Sequence, residues 1–259
     1  MTLEIRSARA LPPAERAELF NAAYEGYLVP FQVDVATLEF MDDAFDLDLD
    51  ASVIAFRDGE PIGLGNLGVR DEDAWIGGVG VVAAARRSGI GEALMRALHE
   101  QARKRGLHRV WLEVIFENTG AFALYEKLGY WTVRDVEVWS LPAGEEDGSA
   151  TREVPAAEAR GRIVELGDTR EPWQRADGTV ANYGDVRGLV TDEGAALFRV
   201  GGAVQLIQVA GEAEPLLRRL RTLGAVSVLN LPEDDPAAAA LRSLGATVVV
   251  RQHEMLLEL

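Results

Sequence analysis

The chain has 259 residues, 48% hydrophobic and 26% charged, which is typical of a globular protein with one large domain or two ordinary ones. A formal net charge of −16 argues against nucleic acid as a partner, and the lack of cysteine excludes disulfides, thiolate metal sites and a cysteine nucleophile. Three scattered histidines, no apolar run near the roughly 18 residues of a membrane span, and an N-terminus without a signal pattern predict a cytoplasmic, metal-free protein that does not bind a membrane.

Alternating strands and helices are predicted for the first 140 residues from the period of their apolar side chains. The predicted strands are 3–9, 52–56, 61–69, 75–82, 109–116 and 131–141. The predicted helices are 12–24, 33–45, 89–105 and 118–128. This order gives an antiparallel meander of three strands that leads into a βαβ crossover, which predicts an α/β fold with a mixed sheet.

The second half of the chain repeats the pattern of the first. Residues 142–150 are small, acidic and turn-forming, and we interpret them as a linker between domains 1–141 and 151–259. A shift of 116 positions aligns residues 110–129 with residues 226–245, and in both copies a final strand of about a dozen residues follows. We therefore predict two related domains in tandem, each with a meander and a crossover. Convergent α/β patterning is the alternative.

The most informative segment is Arg86-Arg87-Ser88-Gly89-Ile90-Gly91, which joins a strand to a helix. Glycines in such a turn let several N–H groups point at one place, and the helix N-terminus adds positive charge there, which suits a phosphate. A P-loop is excluded because neither lysine, Lys104 or Lys127, follows a glycine. A dinucleotide fingerprint would need glycine where the chain has Leu94. A turn without a ligand remains the alternative.

Residues 3–141 resemble the GNAT superfamily of acyl-CoA N-acyltransferases. The similar parts are Val81, the loop Arg86-x-x-Gly89-x-Gly91, and the stretch Leu112-Glu113-Val114-x-x-x-Asn118-x-x-Ala121-x-x-Leu124-Tyr125-Glu126-x-x-Gly129-Tyr130. The second stretch is most similar to the ribosomal-protein N-terminal alanine acetyltransferases. The resemblance implies an acetyltransferase that takes acetyl-CoA as co-substrate and acts by direct attack of an amine in a ternary complex.

The resemblance also implies roles for particular residues. The residues implied to bind coenzyme A are Val81, Val82, Arg86, Arg87, Ser88, Gly89, Ile90, Gly91, Glu92 and Asn118. Tyr125 is implied to protonate the leaving thiolate, and a packing role is its alternative. Glu113 is implied to be the general base, whereas in some relatives a glutamate there only binds water or backbone. The acceptor pocket is expected to include Tyr24, Tyr27 and Phe31.

The expected acceptor is a small-molecule amine or a peptide N-terminus, and a homodimer is left open. The second half lacks the glycine loop: Gly211-Glu212-Ala213-Glu214-Pro215 precedes its helix, and Asp234 and Leu241 replace the asparagine and the tyrosine. We therefore expect it to be a degenerate copy that does not bind coenzyme A. Two other interpretations stay open for the protein: a non-catalytic acyl-CoA-binding or sensing module, and a nucleotide-binding scaffold.

Overall fold

The computed structural model describes residues 2–145, 151–167 and 170–259. The chain forms two compact units. Unit 1 contains Met1–Val133 and Glu254–Leu259, and unit 2 contains Arg134–His253. Each unit has its own hydrophobic core.

Twelve strands and eight α-helices are found among the described residues. The strands are β1 (Leu3–Ser7), β2 (Val53–Arg57), β3 (Glu60–Arg70), β4 (Asp73–Val81), β5 (Arg109–Ile115), β6 (Trp131–Leu141), β7 (Arg152–Pro155), β8 (Arg187–Val190), β9 (Gly194–Val200), β10 (Val204–Gly211), β11 (Val226–Pro232) and β12 (Thr247–Glu258). The helices are α1 (Pro13–Ala23), α2 (Val35–Ala44), α3 (Ile90–Lys104), α4 (Thr119–Lys127), α5 (Ala156–Gly167), α6 (Asp177–Asn182), α7 (Ala213–Arg221) and α8 (Pro236–Ser243).

Unit 1 has the predicted meander and crossover. Strands β2, β3 and β4 are antiparallel, and β4 pairs in parallel with β5 after the crossover through α3. Helix α3 lies on the sheet because Ile90, Leu94 and Leu98 recur on one face, and all three are buried. The mixed α/β fold predicted from the sequence is confirmed.

Unit 2 repeats this arrangement. Strands β8, β9 and β10 are antiparallel, and β10 pairs in parallel with β11 after the crossover through α7. The apolar face of α7 is formed by Leu216, Leu217 and Leu220, which are fully buried in the core of this unit. The prediction of a meander and a crossover in the second half is confirmed.

The units do not divide at the interpreted linker. In unit 1 the strand beside β5 is the end of β12, whose Met255 and Leu257 are part of the unit 1 core. In unit 2 the strand beside β11 is β6, whose Trp139 and Leu141 are part of the unit 2 core. Of the interpreted linker, residues 146–150 lie outside the described residues. None of the helices in the described part of the chain is long and apolar enough to cross a membrane.

Candidate active site

The two central parallel strands of unit 1 diverge. Their paired register ends at Trp75 and Trp111, although β4 and β5 both continue beyond these residues. A β-bulge lies just past this point, because Ile76 and Gly78 pair with consecutive residues of β3 while Gly77 is skipped. A bulge bends its strand and increases the local twist. The result is a cleft between the C-terminal halves of β4 and β5, with strand backbone along its sides.

The glycine loop leads from this cleft into α3. The loop turns through left-handed backbone at Arg87 (φ 59°) and at the helix N-cap, Gly89 (φ 82°). The first helical hydrogen bond runs from Ala93 N to Gly89 O, and the N-cap provides no side-chain acceptor. The amides of the first turn are therefore left for another acceptor, at the end of the helix that carries partial positive charge. This geometry suits an anion.

Arg86 is engaged inside the protein. Its Nε donates to Val81 O at 2.9 Å, and its Nη2 donates to Ala23 O at 3.0 Å and to Glu25 O at 2.7 Å. The side chain therefore joins the end of β4 to the end of α1. The resemblance implied a coenzyme A contact for Arg86, whereas in the structure its guanidinium bonds protein carbonyls.

Two further side chains of the loop are bonded within the protein. Ser88 Oγ donates to Ala85 O at 2.6 Å. The Glu92 carboxylate accepts from Lys127 Nζ at 2.6 Å and Arg96 Nη2 at 2.8 Å, and these two bonds lower its pKa. Arg87 is exposed, so this part of the chain offers a ligand its backbone amides and the Arg87 side chain.

Three phenols and one amide converge at the cleft. Tyr24 and Tyr27 are in edge-to-face contact, with 5.2 Å between ring centroids, and Asn118 Nδ2 donates to Tyr27 Oη at 3.4 Å. Burial raises the pKa of Tyr24 and of Tyr125, and each pKa is raised further by the neighbouring phenol of Tyr27. Both hydroxyls therefore stay protonated at neutral pH. The structure brings these four predicted site residues together.

Phe31 lies at the margin of this group. Its ring is 44% exposed and contacts Phe20 edge-to-face, with 5.8 Å between centroids. Phe20 in turn stacks on Tyr24 at 4.5 Å. Among the described ring contacts, Phe31 is linked to the phenol group through Phe20.

Tyr125 is held by a turn that the sequence analysis did not connect with the site. The amide of Tyr130 donates to Tyr125 O at 3.0 Å, and the two rings lie 5.8 Å apart. The Tyr130 hydroxyl is 2.8 Å from Nε2 of buried His99. Burial lowers the pKa of His99 to about 4, so the imidazole is neutral at pH 7. The only sign of this contact in the sequence is that His99 lies on the apolar face of α3, which predicts that its imidazole is buried.

Glu113 is bonded to an indole on the neighbouring strand. Trp75 Nε1 donates to Glu113 Oε2 at 2.9 Å. The Trp75 ring lies along Gly77, where an added Cβ would come within 2.5 Å of it, and it contacts Phe45 edge-to-face at 5.6 Å. One oxygen of the carboxylate is thus used in orienting the indole.

The counterpart of this cleft in unit 2 contains charged and amide side chains. The paired register of β10 and β11 ends at Leu206 and Val228, and a bulge precedes Gln208. Gln208 is buried, and its Nε2 donates to Arg175 O at 2.7 Å and to Asp177 Oδ1 at 3.1 Å. Fully buried Arg175 is paired with Glu171 at 2.7 Å.

The helix that follows β10 begins differently from α3. Its N-cap is Glu212, which makes no side-chain cap bond, whereas the N-cap of α3 is Gly89; each helix has one glutamate in its first turn, Glu214 in α7 and Glu92 in α3. Asp235, after β11, caps α8 and has a pKa raised by burial. Carboxylates at the start of a helix repel an anionic ligand.

The comparisons with known proteins agree with this geometry. Residues 16–130 match the acetyltransferase (GNAT) family. A 59-residue segment is 39% identical to ribosomal protein bS18-alanine N-acetyltransferase of Escherichia coli K12 and covers 23% of this chain and 40% of that protein. The alignment spans less than half of the relative's length.

The fold is similar to solved structures along nearly the whole chain. A GCN5-related N-acetyltransferase of Sphaerobacter thermophilus matches with a TM-score of 0.73 at 19% identity, over 99% of this chain and 95% of that chain. A tandem GNAT protein from the clavulanic acid biosynthesis pathway matches with a TM-score of 0.67 at 16% identity, over 99% and 98%. At these identities the likeness concerns the fold alone.

Proposed function

We propose that unit 1 is an acetyl-CoA-dependent N-acetyltransferase that acetylates a primary amine in a ternary complex. The observation that carries the proposal is the cleft between β4 and β5, which opens beside the uncapped N-terminus of α3. A pantetheine arm needs backbone partners and a pyrophosphate needs convergent amides, and the two features adjoin in the chain. The GNAT family match over residues 16–130 supports the same reading.

In this proposal coenzyme A is bound mainly by backbone. The amides of residues 87–92 hold the pyrophosphate, Val81 pairs with the pantetheine arm, and Asn118 contacts the arm from the start of α4. Val82, which the resemblance also implied as a contact, is bonded within the protein: its amide donates to Ile62 O at 3.0 Å and its carbonyl accepts from Ala85 N at 2.8 Å. Gly91 supports this role because a Cβ there would make only an ordinary contact at 3.8 Å, so packing does not require a glycine. Arg86 shapes the loop by bonding the end of α1.

The acetyl group passes directly from sulfur to nitrogen. The neutral amine attacks the thioester carbon, and the tetrahedral intermediate collapses with cleavage of the C–S bond. The departing thiolate takes a proton from Tyr125, whose raised pKa keeps that proton available at neutral pH. The amine nitrogen loses a proton to a base, and Glu113 is the candidate. Because Glu113 Oε2 already accepts a hydrogen bond from Trp75 Nε1, we propose that Glu113 takes the proton from the amine through a bridging water rather than by direct contact.

The proposed acceptor is a small-molecule amine or a peptide N-terminus. The Escherichia coli relative is named for acetylating an alanine of ribosomal protein bS18. An α-amine has a pKa of about 7.7–8.0 and is partly neutral at pH 7.5, whereas an alkyl amine near 10.4 is almost fully charged. Neutral phenols at the cleft suit an acceptor that arrives uncharged.

A non-catalytic acyl-CoA sensor is the second candidate. The bond between Glu113 and the Trp75 indole favours it, because that bond gives the carboxylate a structural function. A panel of amines incubated with acetyl-CoA, with release of the free coenzyme A thiol as the readout, separates the two candidates. Binding of acetyl-CoA without thiol release from any amine would favour the sensor.

Tyr125→Phe tests the proposed acid. We expect kcat to fall by about 10²–10⁴, the range for general acid catalysis, with little change in the affinity for acetyl-CoA. The matched control is Tyr183→Phe, because Tyr183 is a buried tyrosine of unit 2. Unchanged turnover in Tyr125→Phe would remove the acid role and leave the cofactor site untouched.

Unit 2 does not bind coenzyme A in this proposal. Buried Gln208 and Arg175 occupy the place of the cleft, and acidic residues surround the start of α7. Calorimetric titration of the full chain with acetyl-CoA should therefore give one site per chain. Two sites of similar affinity would contradict this proposal. The titration uses the full chain because each unit contains residues from both before and after the interpreted linker.

A further inference from the structure

We propose that the Tyr24 hydroxyl donates a hydrogen bond to the carbonyl oxygen of the acetyl thioester and stabilises the oxyanion formed during transfer. This inference rests on the proposed function of unit 1. From the sequence, Tyr24 is expected only in the acceptor pocket. The geometry gives it a second role, on the acyl side.

The Tyr24 ring is held in one place by its neighbours. Tyr24 is the C-cap of α1, and its amide donates to Phe20 O at 3.0 Å. Its ring stacks on Phe20 with 4.5 Å between centroids and meets Tyr27 edge-to-face at 5.2 Å. A phenol packed on two sides by aromatic rings presents its hydroxyl in a fixed direction, which is what preorganised catalysis requires.

The hydroxyl lies against the β-bulge that opens the cleft. A Cβ added at Gly78 would be 2.4 Å from Tyr24 Oη, and one added at Gly80 would be 3.1 Å from the ring. Only glycine at position 78 leaves room for the hydroxyl at this point of β4. The bulge marks where β4 leaves β5, so the hydroxyl borders the start of the proposed pantetheine cleft.

The Tyr24 hydroxyl makes no hydrogen bond to any residue that the structure describes. The neighbouring Tyr27 differs, because its hydroxyl accepts from Asn118. A protonated phenol without an internal acceptor can donate to a ligand, and a carbonyl oxygen is the acceptor that the acetyl thioester brings. Tyr125 then donates its proton to the sulfur of the acetyl thioester, and Tyr24 donates a hydrogen bond to the carbonyl oxygen of the same thioester.

The test compares binding of acetyl-CoA with binding of coenzyme A. A hydrogen bond of ordinary strength makes the wild-type chain prefer acetyl-CoA by roughly 2- to 10-fold through this contact. Tyr24→Phe should lose that preference and keep its affinity for coenzyme A. In turnover, loss of an oxyanion donor should lower kcat by about 10²–10³.

A spectroscopic readout reports the contact directly. With ¹³C-labelled acetyl-CoA bound, donation from a hydroxyl lowers the carbonyl stretching frequency, and Tyr24→Phe should raise it again. Gly78→Ala, which displaces the hydroxyl, should shift the frequency in the same direction, whereas the control Tyr183→Phe should not. The thermal melt of each variant verifies that it is folded.

The outcomes separate this inference from the function on which it rests. If Tyr24→Phe keeps the full preference for acetyl-CoA, the carbonyl frequency and kcat, the role of Tyr24 is overturned and the acetyltransferase proposal stands. If the wild-type chain binds neither acetyl-CoA nor coenzyme A, the proposed function is overturned and this inference with it. Loss of the preference together with the frequency shift supports the proposed contact.

Discussion

Met255→Ala tests whether the last strand of the chain completes the unit that carries the candidate site. Met255 is fully buried in the unit 1 core, in the cluster that also contains Leu98 and Leu112. Truncation of a buried methionine to alanine costs about 2–5 kcal/mol, because apolar contact is lost and a cavity remains. Met255 lies 122 positions after Val133, the last residue of the N-terminal segment of unit 1 (255 − 133), so an effect on that segment cannot arise from local structure.

Hydrogen exchange followed by mass spectrometry measures the effect in each unit separately. Where exchange requires the whole unit to open, a loss of 2–5 kcal/mol speeds exchange by roughly 30- to several-thousand-fold in peptides from β5. Peptides from β10 and β11 should change far less. In urea, with a slope of about 2 kcal/mol/M, the unit 1 midpoint should fall by about 1–2.5 M.

The matched control is Val249→Ala. Val249 lies in the same strand, β12, but it is 58% exposed and belongs to unit 2. An exposed substitution of this kind changes the free energy of unfolding by at most about 0.5 kcal/mol. If Met255→Ala leaves exchange in β5 at the wild-type rate, the assignment of the C-terminal strand to the unit 1 core is wrong.

Two further substitutions test the cofactor loop and the residues behind Tyr125. Gly89→Ala forces a side chain into a φ of 82°, which should lower the free energy of unfolding by about 1 kcal/mol and weaken acetyl-CoA binding in calorimetry. The control is Gly161→Ala, in an open position of α5, which should leave acetyl-CoA binding unchanged. Equal affinities of the two variants for acetyl-CoA would contradict the role of the turn. Because folding lowers the pKa of His99 to about 4, the unfolded chain takes up a proton near pH 6.5 that the folded chain refuses, and stability falls as pH drops. Between pH 7 and pH 5, His99 lowers the free energy of unfolding by about 2 kcal/mol. The urea midpoint of His99→Met should therefore fall less than that of the wild type over this interval. An equal fall would refute the assignment of His99 as a buried, neutral imidazole.

Local structure was predictable because its signals are local. The helix predicted over residues 89–105 is Ile90–Lys104, and the strand predicted over 109–116 is Arg109–Ile115. The period of apolar residues and the flanking glycines lie within the segment that they determine. Asn118 and Tyr125 followed from a motif that carries both the residue types and their spacing, whereas Tyr24 and Tyr27 were expected at the site from their place between the first two helices.

Strand partners and side-chain partners were not predictable. Strands β6 and β12 have similar lengths, 11 and 12 residues, and the residues of neither strand indicate which of the two cores its apolar side chains will join. Arg86 next to a phosphate-type turn suggested an anion contact. Its partners are backbone carbonyls at the end of α1, about sixty residues earlier, which only the folded chain brings near.

The two units show how one topology can give different sites. Where two parallel strands diverge, their backbone groups lose each other as partners and must be satisfied in another way. In unit 1 the bulge carries Gly77 and Gly78, whose lack of a side chain makes room for the Trp75 ring and the Tyr24 hydroxyl. In the proposed function a ligand with its own amides completes the pairing of the diverging strands. In unit 2 the bulge is followed by buried Gln208, which bonds the backbone of Arg175 within the same unit. The side chains at the bulge therefore differ between the two units, and in the proposed function this difference decides which unit binds acetyl-CoA.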